Sequence, residues 1–133
     1  DINNNLSFSM EDRQENIRRI AEVSRLYLHS GIIAINCFIS PTKAIRAFAR
    51  DIIGAEDFLE IYINAPLDVC ESRDVKGLYQ KARRGELKEF TGIDSPYEAP
   101  EQPDLEIRTD QATIEEATEM LYRFLLPQIQ IKN

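Results

Sequence analysis

Apolar residues recur at helical spacing near the start of the chain, with a turn signal at each end. Ser9 is a good N-cap residue, Asp12 favours the first turn, and Gly31 is a natural stop. The pattern predicts an amphipathic helix of about six turns. Its apolar positions are Ile17, Ile20, Val23, Leu26 and Tyr27.

A nearly continuous apolar and β-branched run follows over residues 32–39 and ends at Pro41. Such a run is typical of a strand buried on both faces of a parallel sheet. Residues 43–53 return to helical spacing, and residues 58–63 fit the next strand. The order helix, strand, helix, strand predicts an α/β layered fold with a parallel sheet.

The rest of the chain predicts three helices and one strand. Short helices are expected over residues 67–73 and 75–84, a strand near residues 105–107, and an amphipathic helix over residues 114–126. No internal repeat is visible, so we expect residues 1–133 to form a single domain. Irregular structure before the third strand is indicated by Pro96, Pro100 and Pro103.

Composition narrows the function classes. Of the 133 residues, 43% are hydrophobic, which is enough to form a buried core. The net charge is -7. No apolar run approaches the ~20 residues of a membrane span, and the first residues do not resemble a signal peptide. We expect a cytoplasmic protein with no membrane partner.

The cysteines and the histidine offer little metal or catalytic chemistry. Cys37 and Cys70 lack metal-ligand spacing, and we expect both to be reduced and buried. The single histidine, His29, gives little material for a triad or a zinc site. No metal site is therefore predicted.

A basic stretch covers residues 76–94 of this acidic chain. A basic island in an acidic protein favours a small anionic ligand over nucleic acid, although a solvated helix surface has the same composition. We interpret residues 76–100 as a lid-like segment. The cations of the stretch are Lys76, Lys81, Arg83, Arg84 and Lys88.

The sequence of this stretch, KGLYQKARRGELKEFTGID, resembles the corresponding stretch of the adenylylsulfate kinase family. These enzymes phosphorylate the 3'-hydroxyl of adenosine 5'-phosphosulfate (adenylylsulfate). Further blocks match the family in its order and cover most of residues 6–110. They are residues 8–13 with 15–19, then 38–41, 66–74 and 94–101.

The resemblance implies a three-layer P-loop kinase-like α/β fold. It also implies formation of 3'-phosphoadenylyl sulfate in sulfate assimilation, with ATP and Mg²⁺ as cofactors, and it is compatible with a homodimer or a fusion to ATP sulfurylase. Ser40 matches the active-site serine, which the family describes as a phosphoserine intermediate, and the backbone at Ile39 would line the nucleoside pocket. A serine that satisfies a strand-end turn is the alternative for Ser40.

Four residues match the substrate pocket of the family. By resemblance, Phe8 and Phe90 would sandwich the adenine, whose two π faces suit that arrangement. Arg13 and Asn16 are three residues apart, hence on one face of the first helix. There a guanidinium can bind a phosphosulfate oxygen, and an amide can reach a hydroxyl or a ring nitrogen.

Two cations and three glycines complete the resemblance. Lys76 would contact the adenylylsulfate, and Arg73 would cover the adenine of ATP. Glycines in the lid would let it hinge and bring backbone amides close to the ligand. They are Gly77, Gly85 and Gly92.

The family's phosphate-binding loop, which ends in Gly-Lys-Ser/Thr, and its Asp-Gly-Asp segment are absent from this sequence. The strand that carries the loop would lie between residues 32–39 and 58–63. Without that strand, the facing edges of the two predicted strands would keep unpaired backbone groups, and each buried one would cost ~1 to 3 kcal/mol. We therefore expect that the natural protein continues before Asp1, or that another chain supplies the strand.

Two other functions fit the residues. A kinase-like domain could hold adenylylsulfate without catalysis and regulate a fused sulfurylase. A kinase for another small nucleoside-like acceptor fits less well, because Phe8, Phe90, Arg13 and Asn16 match the adenylylsulfate pocket.

Overall fold

The protein is described by a computed structural model over residues 2–129. These residues group into two compact units, residues 2–58 with 82–99 and residues 59–81 with 100–129. The predicted helices are present, but the first helix is followed directly by the second, so the predicted helix–strand–helix–strand order is only partly formed. In chain order the elements are helix α1 (Met10–His29), helix α2 (Lys43–Ile53), a 3-10 turn (Ala55–Asp57), strand β1 (Ile61–Asn64), helix α3 (Leu67–Arg73), helix α4 (Leu78–Arg83), strand β2 (Leu105–Arg108) and helix α5 (Ile114–Ile129).

The first unit is built on the packing of α1 against α2. Helix α1 starts as predicted, because the Ser9 hydroxyl accepts a 3.2 Å hydrogen bond from the N–H of Asp12. It ends before Gly31, whose φ of 74° is readily available only to glycine. Burying an isoleucine side chain contributes ~1.5 to 3 kcal/mol. The buried core of this unit is Ile17, Ala21, Ile45 and Ala49.

The strand predicted over residues 32–39 is not formed. These residues have no ladder partner within residues 2–129, and a strand without a neighbour lacks the hydrogen bonds that define it. Asn36 tethers the segment to α1 by donating to the buried Ser24 hydroxyl at 3.0 Å. Cys37 is exposed and Cys70 half-buried, so the prediction that both are buried was wrong.

The second unit contains a parallel two-stranded sheet. Strand β1 pairs with β2 from Ile61 opposite Leu105 to Asn64 opposite Arg108, which confirms the predicted parallel arrangement. Helix α5 packs on β2, where Ile107 is fully buried. The helix predicted from residue 75 starts instead at Leu78, and the strand predicted over residues 58–63 is shorter and shifted.

Candidate functional site

The loop before α1 presents Phe8. The ring is 72% exposed, while the backbone beside it is fixed on both sides. Ser7 donates its N–H to a carboxylate oxygen of Asp12 at 2.8 Å, and its hydroxyl donates to the same oxygen. These two bonds, the hydroxyl first, lower the pKa of Asp12 below its ordinary value. Phe8 is thus an accessible ring on an ordered loop.

Arg13 connects this loop to the segment that carries Phe90. Its Nε donates to the carbonyl of Phe8 at 2.8 Å, and its Nη1 donates to Thr91 Oγ1 at 2.7 Å. Its Nη2 donates to the carbonyl of Glu89. A guanidinium suits this task because its donors lie in a rigid plane. The Arg13 side chain therefore bonds to Phe8 itself and to the two residues that flank Phe90.

The turn over residues 89–95 is closed by the side chain of Asp94. One carboxylate oxygen accepts from the N–H of Glu89 at 2.8 Å, and the other accepts from the N–H of Phe90 at 2.6 Å. Glu89 has a φ of 57°, in the left-handed region that a non-glycine residue seldom adopts. Asp94 compensates that conformation with two charge-assisted hydrogen bonds. The turn holds the half-buried Phe90 in place.

Ile39 ends the segment over residues 32–39, and Ser40 follows it. Ile39 is 66% exposed and Ser40 is half-buried. The carbonyl of Ser40 accepts a 2.7 Å hydrogen bond from Arg46 Nη1. Asn16 lies half-buried on α1, three residues beyond Arg13 as predicted. The predicted substrate residues except Lys76 thus belong to the first unit.

In the second unit, Arg73 lies at the carboxyl end of the sheet. Its Nη2 donates to the carbonyl of Thr109 at 2.7 Å, and the N–H of Thr109 donates to the carbonyl of Asn64 at 2.9 Å. In open α/β sheets this edge is where ligands bind. Lys76 is exposed, between α3 and α4.

The lid-like segment starts at a capped turn. Desolvation raises the pKa of Asp74, but the N–H groups of Gln80, Tyr79 and Leu78 lower it further, so the net pKa is below its ordinary value. These bonds, at 3.0 Å from Gln80 and 3.1 Å from Tyr79, place the carboxylate at the start of α4.

Comparison with known proteins decides the family. The family model described as Adenylylsulphate kinase matches residues 1–108. The chain belongs to the adenylylsulfate kinase family. Adenylyl-sulfate kinase from Bacteroides thetaiotaomicron is 56% identical over 131 residues, which are 98% of this chain and 65% of that protein. The enzyme of the same name from Phocaeicola vulgatus is 59% identical over 126 residues, 95% of this chain and 62% of that protein.

The chain therefore spans less than two thirds of the length of these relatives. Among solved structures, it is similar to the Mycobacterium tuberculosis APS kinase in complex with AMPPNP and APS. That likeness has a TM-score of 0.86 at 44% identity and covers 94% of this chain and 73% of that one. The crystal structure of APE1195 gives a TM-score of 0.88 at 42% identity, with 97% and 73% covered. The likeness confirms the P-loop kinase-like α/β fold class.

Several residues of this adenylylsulfate kinase family member were not singled out from the sequence. Asp94 lies four residues after Phe90 in a stretch with a glycine and a proline, a turn signal that indicates a capping carboxylate. Thr91 gave no such signal, because its contact with Arg13 joins residues 78 positions apart. Arg46 gave no such signal either, because its contact with Glu98 joins residues 52 positions apart.

Residues 2–129 contain neither a membrane-spanning helix nor a group of metal-binding side chains. No helix among them is long and apolar enough to cross a membrane. In the same range, no three or more His, Cys, Asp or Glu side chains are grouped so that they could hold a metal ion.

Proposed function

We propose that this protein takes part in the ATP-dependent phosphorylation of adenosine 5'-phosphosulfate on its 3'-hydroxyl. The product is 3'-phosphoadenylyl sulfate, an intermediate of sulfate assimilation. The observation that carries the proposal is the Arg13 network, which bonds to the backbone of Phe8 and to both neighbours of Phe90. These bonds tie the loop that carries Phe8 to the turn that carries Phe90.

The adenine would stack between Phe8 and Phe90. Stacking of a base on an aromatic side chain contributes ~1 to 3 kcal/mol, so two rings can supply much of the affinity. Asn16 would reach a hydroxyl or a ring nitrogen, and Ile39 would line the nucleoside pocket. A phosphosulfate oxygen would accept a hydrogen bond from Arg13 in place of one of its protein acceptors. The side-chain hydroxyl of Thr91 is the acceptor that we expect it to replace.

Lys76 and Arg73 would bind the two nucleotide ligands. Lys76, exposed in the lid-like segment, would add a cation toward the adenylylsulfate. Arg73 would cover the adenine of ATP, which agrees with its place beyond the strands at Thr109. Closure of the lid would exclude water that competes for the γ-phosphoryl group.

Ser40 would contribute by position rather than as a nucleophile. Phosphoryl transfer depends mainly on alignment and on stabilisation of charge, and these need no covalent intermediate. Mg²⁺ supplies that charge stabilisation when it is bound with ATP. The described residues offer no cluster to hold it, so the proposal gives this chain no metal ligand.

The proposal also includes a cytoplasmic location, where ATP is available, and assembly as a homodimer or with a sulfurylase. The intact mass of the natural polypeptide gives its length. Its mass in solution gives its oligomeric state. These measurements precede the functional test, because the chain spans less than two thirds of its relatives.

The test is calorimetric titration of the natural polypeptide with adenylylsulfate, with and without MgADP, together with an assay for 3'-phosphoadenylyl sulfate. Saturable binding that MgADP changes and Phe90→Ala abolishes, with product formed from MgATP, supports the kinase. Binding that is indifferent to MgADP, without product, replaces the kinase by a binding domain. No binding overturns the proposal.

A further inference from the structure

Arg46 bridges two segments of the first unit. Its Nη1 donates to the carbonyl of Ser40 at 2.7 Å, and its Nη2 donates to the carbonyl of Glu98 at 2.6 Å. The guanidinium carbon also lies 6.0 Å from the ring centroid of Tyr97, within cation–π range. One side chain of α2 therefore bonds both to the segment that ends at Ser40 and to the end of the lid-like segment.

Glu98 makes reciprocal contacts with the start of α2. Its carboxylate accepts from the N–H of Lys43 at 2.7 Å, and its own N–H donates to the carbonyl of Pro41 at 2.8 Å. A helix begins with unpaired N–H groups and a partial positive charge, so a carboxylate is a favourable partner there. Pro41 is itself fully buried, which gives the contact a rigid base.

We propose that Arg46 and Glu98 are a positioning pair that sets the location of Ile39 and Ser40 and anchors the carboxyl end of the lid-like segment. The inference rests on the proposed function, because it assigns the pair to the adenylylsulfate side of that site. Neither residue contacts the substrate in this assignment. Arg46 acts through the backbone of Ser40, and Glu98 acts through the first turn of α2.

The geometry distinguishes this pair from an ordinary surface contact. An exposed ion pair holds two flexible side chains together and contributes little. Arg46 is half-buried, and its two donors reach backbone carbonyls of two different segments. Its planar fork fixes the spacing of those carbonyls, which the single ammonium of lysine cannot do. The neighbouring Arg50 is exposed on the same helix and serves as a matched control.

The test compares Arg46→Met, Arg46→Lys, Glu98→Ala and Arg50→Met in the natural polypeptide. We expect Arg46→Met to raise the Kd for adenylylsulfate about tenfold and to leave the Kd for MgADP within about twofold. Arg46→Lys restores part of the loss, and Glu98→Ala gives a smaller loss, because its backbone bonds remain. Arg50→Met binds both ligands as the parent does.

The outcomes separate the two proposals. If the parent protein fails to bind adenylylsulfate, the proposed function falls and this inference falls with it. If the parent binds and Arg46→Met binds equally well, only the positioning pair is overturned. If Arg46→Met weakens both ligands equally and lowers the melting temperature, the role of Arg46 is general stability, which also overturns the inference.

Discussion

The carboxylate of Asp94 accepts a 2.6 Å hydrogen bond from the backbone N–H of Phe90. Its other oxygen bonds to Glu89, which adopts a left-handed φ. The aromatic side chain thus owes its position to an acidic residue four positions later. Placement of Phe90 is a property of the turn rather than of a helix or strand.

Asp94→Ala removes both acceptors, and we expect the Kd for adenylylsulfate to rise about tenfold, because the turn no longer fixes Phe90. Asp94→Asn keeps one acceptor and should lose less. Calorimetric titration measures both. The control is Asp51→Asn, an exposed position on α2. An Asp94→Ala protein that binds as tightly as the parent contradicts this role.

Phe8→Ala separates binding from stability. We expect a loss of adenylylsulfate affinity of about 5- to 150-fold (~1 to 3 kcal/mol) from the missing stacking contact. The free energy of unfolding should change by no more than about 0.5 kcal/mol, because a largely exposed ring contributes little packing. Titration and urea unfolding measure the two effects. Tyr122→Ala removes another exposed ring, on α5, and should alter neither.

Arg13→Lys keeps the charge and loses the planar fork. We expect a loss of adenylylsulfate affinity of at least tenfold, since lysine cannot bond to Phe8, Thr91 and Glu89 together. Thr91→Val removes the acceptor that the phosphosulfate oxygen would replace, so its affinity should stay within about threefold of that of the parent. Arg25→Lys is the control, because Arg25 pairs with Glu22 within α1. Equal affinity in Arg13→Lys and the parent contradicts the proposed network.

Glu15→Gln tests the charge cluster on α1. Hydrogen bonds from Arg18 and then Arg19 lower the pKa of Glu15 from 4.5 to about 2. Since the folded pKa is depressed, the stabilisation is complete above pH 4.5 and is lost as pH falls toward 2. Glu15→Gln should therefore lose stability at neutral pH and show a flatter dependence across that window.

Thermal unfolding from pH 7 to pH 2 measures the Glu15 effect. Because Arg18 and Arg19, three and four residues after Glu15, supply the shift, Glu15→Gln should change little in a background that carries Arg18→Gln and Arg19→Gln. A parent and variant with parallel pH profiles contradict the assignment.

Local signals predicted much of the secondary structure. The Ser9 cap and Gly31 bounded α1 correctly, and α3 has the predicted limits Leu67–Arg73. These features depend on neighbouring residues, so a short stretch of sequence contains them. The resemblance likewise named Phe8, Arg13 and Phe90, and the guanidinium of Arg13 bonds to the carbonyl of Phe8 and to both neighbours of Phe90.

The sequence could not predict what depends on distant partners. Residues 32–39 have the composition of a buried strand, but a strand forms only beside another strand, and residues 2–129 provide none for it. The contacts of Arg46 with Glu98 and of Arg13 with Thr91 join residues 52 and 78 positions apart. No local pattern encodes such distances.

The segment over residues 32–39 has a consequence for how a polypeptide limited to residues 1–133 would behave in concentrated solution. It contains no charge and no proline, and Ile33, Ile35 and Ile39 are 58%, 74% and 66% exposed. Segments of this kind, with unpaired backbone groups, template sheet growth between molecules. The net charge of -7 opposes such encounters, and added salt screens it. Added salt should therefore promote aggregation of a polypeptide that contains residues 1–133 alone.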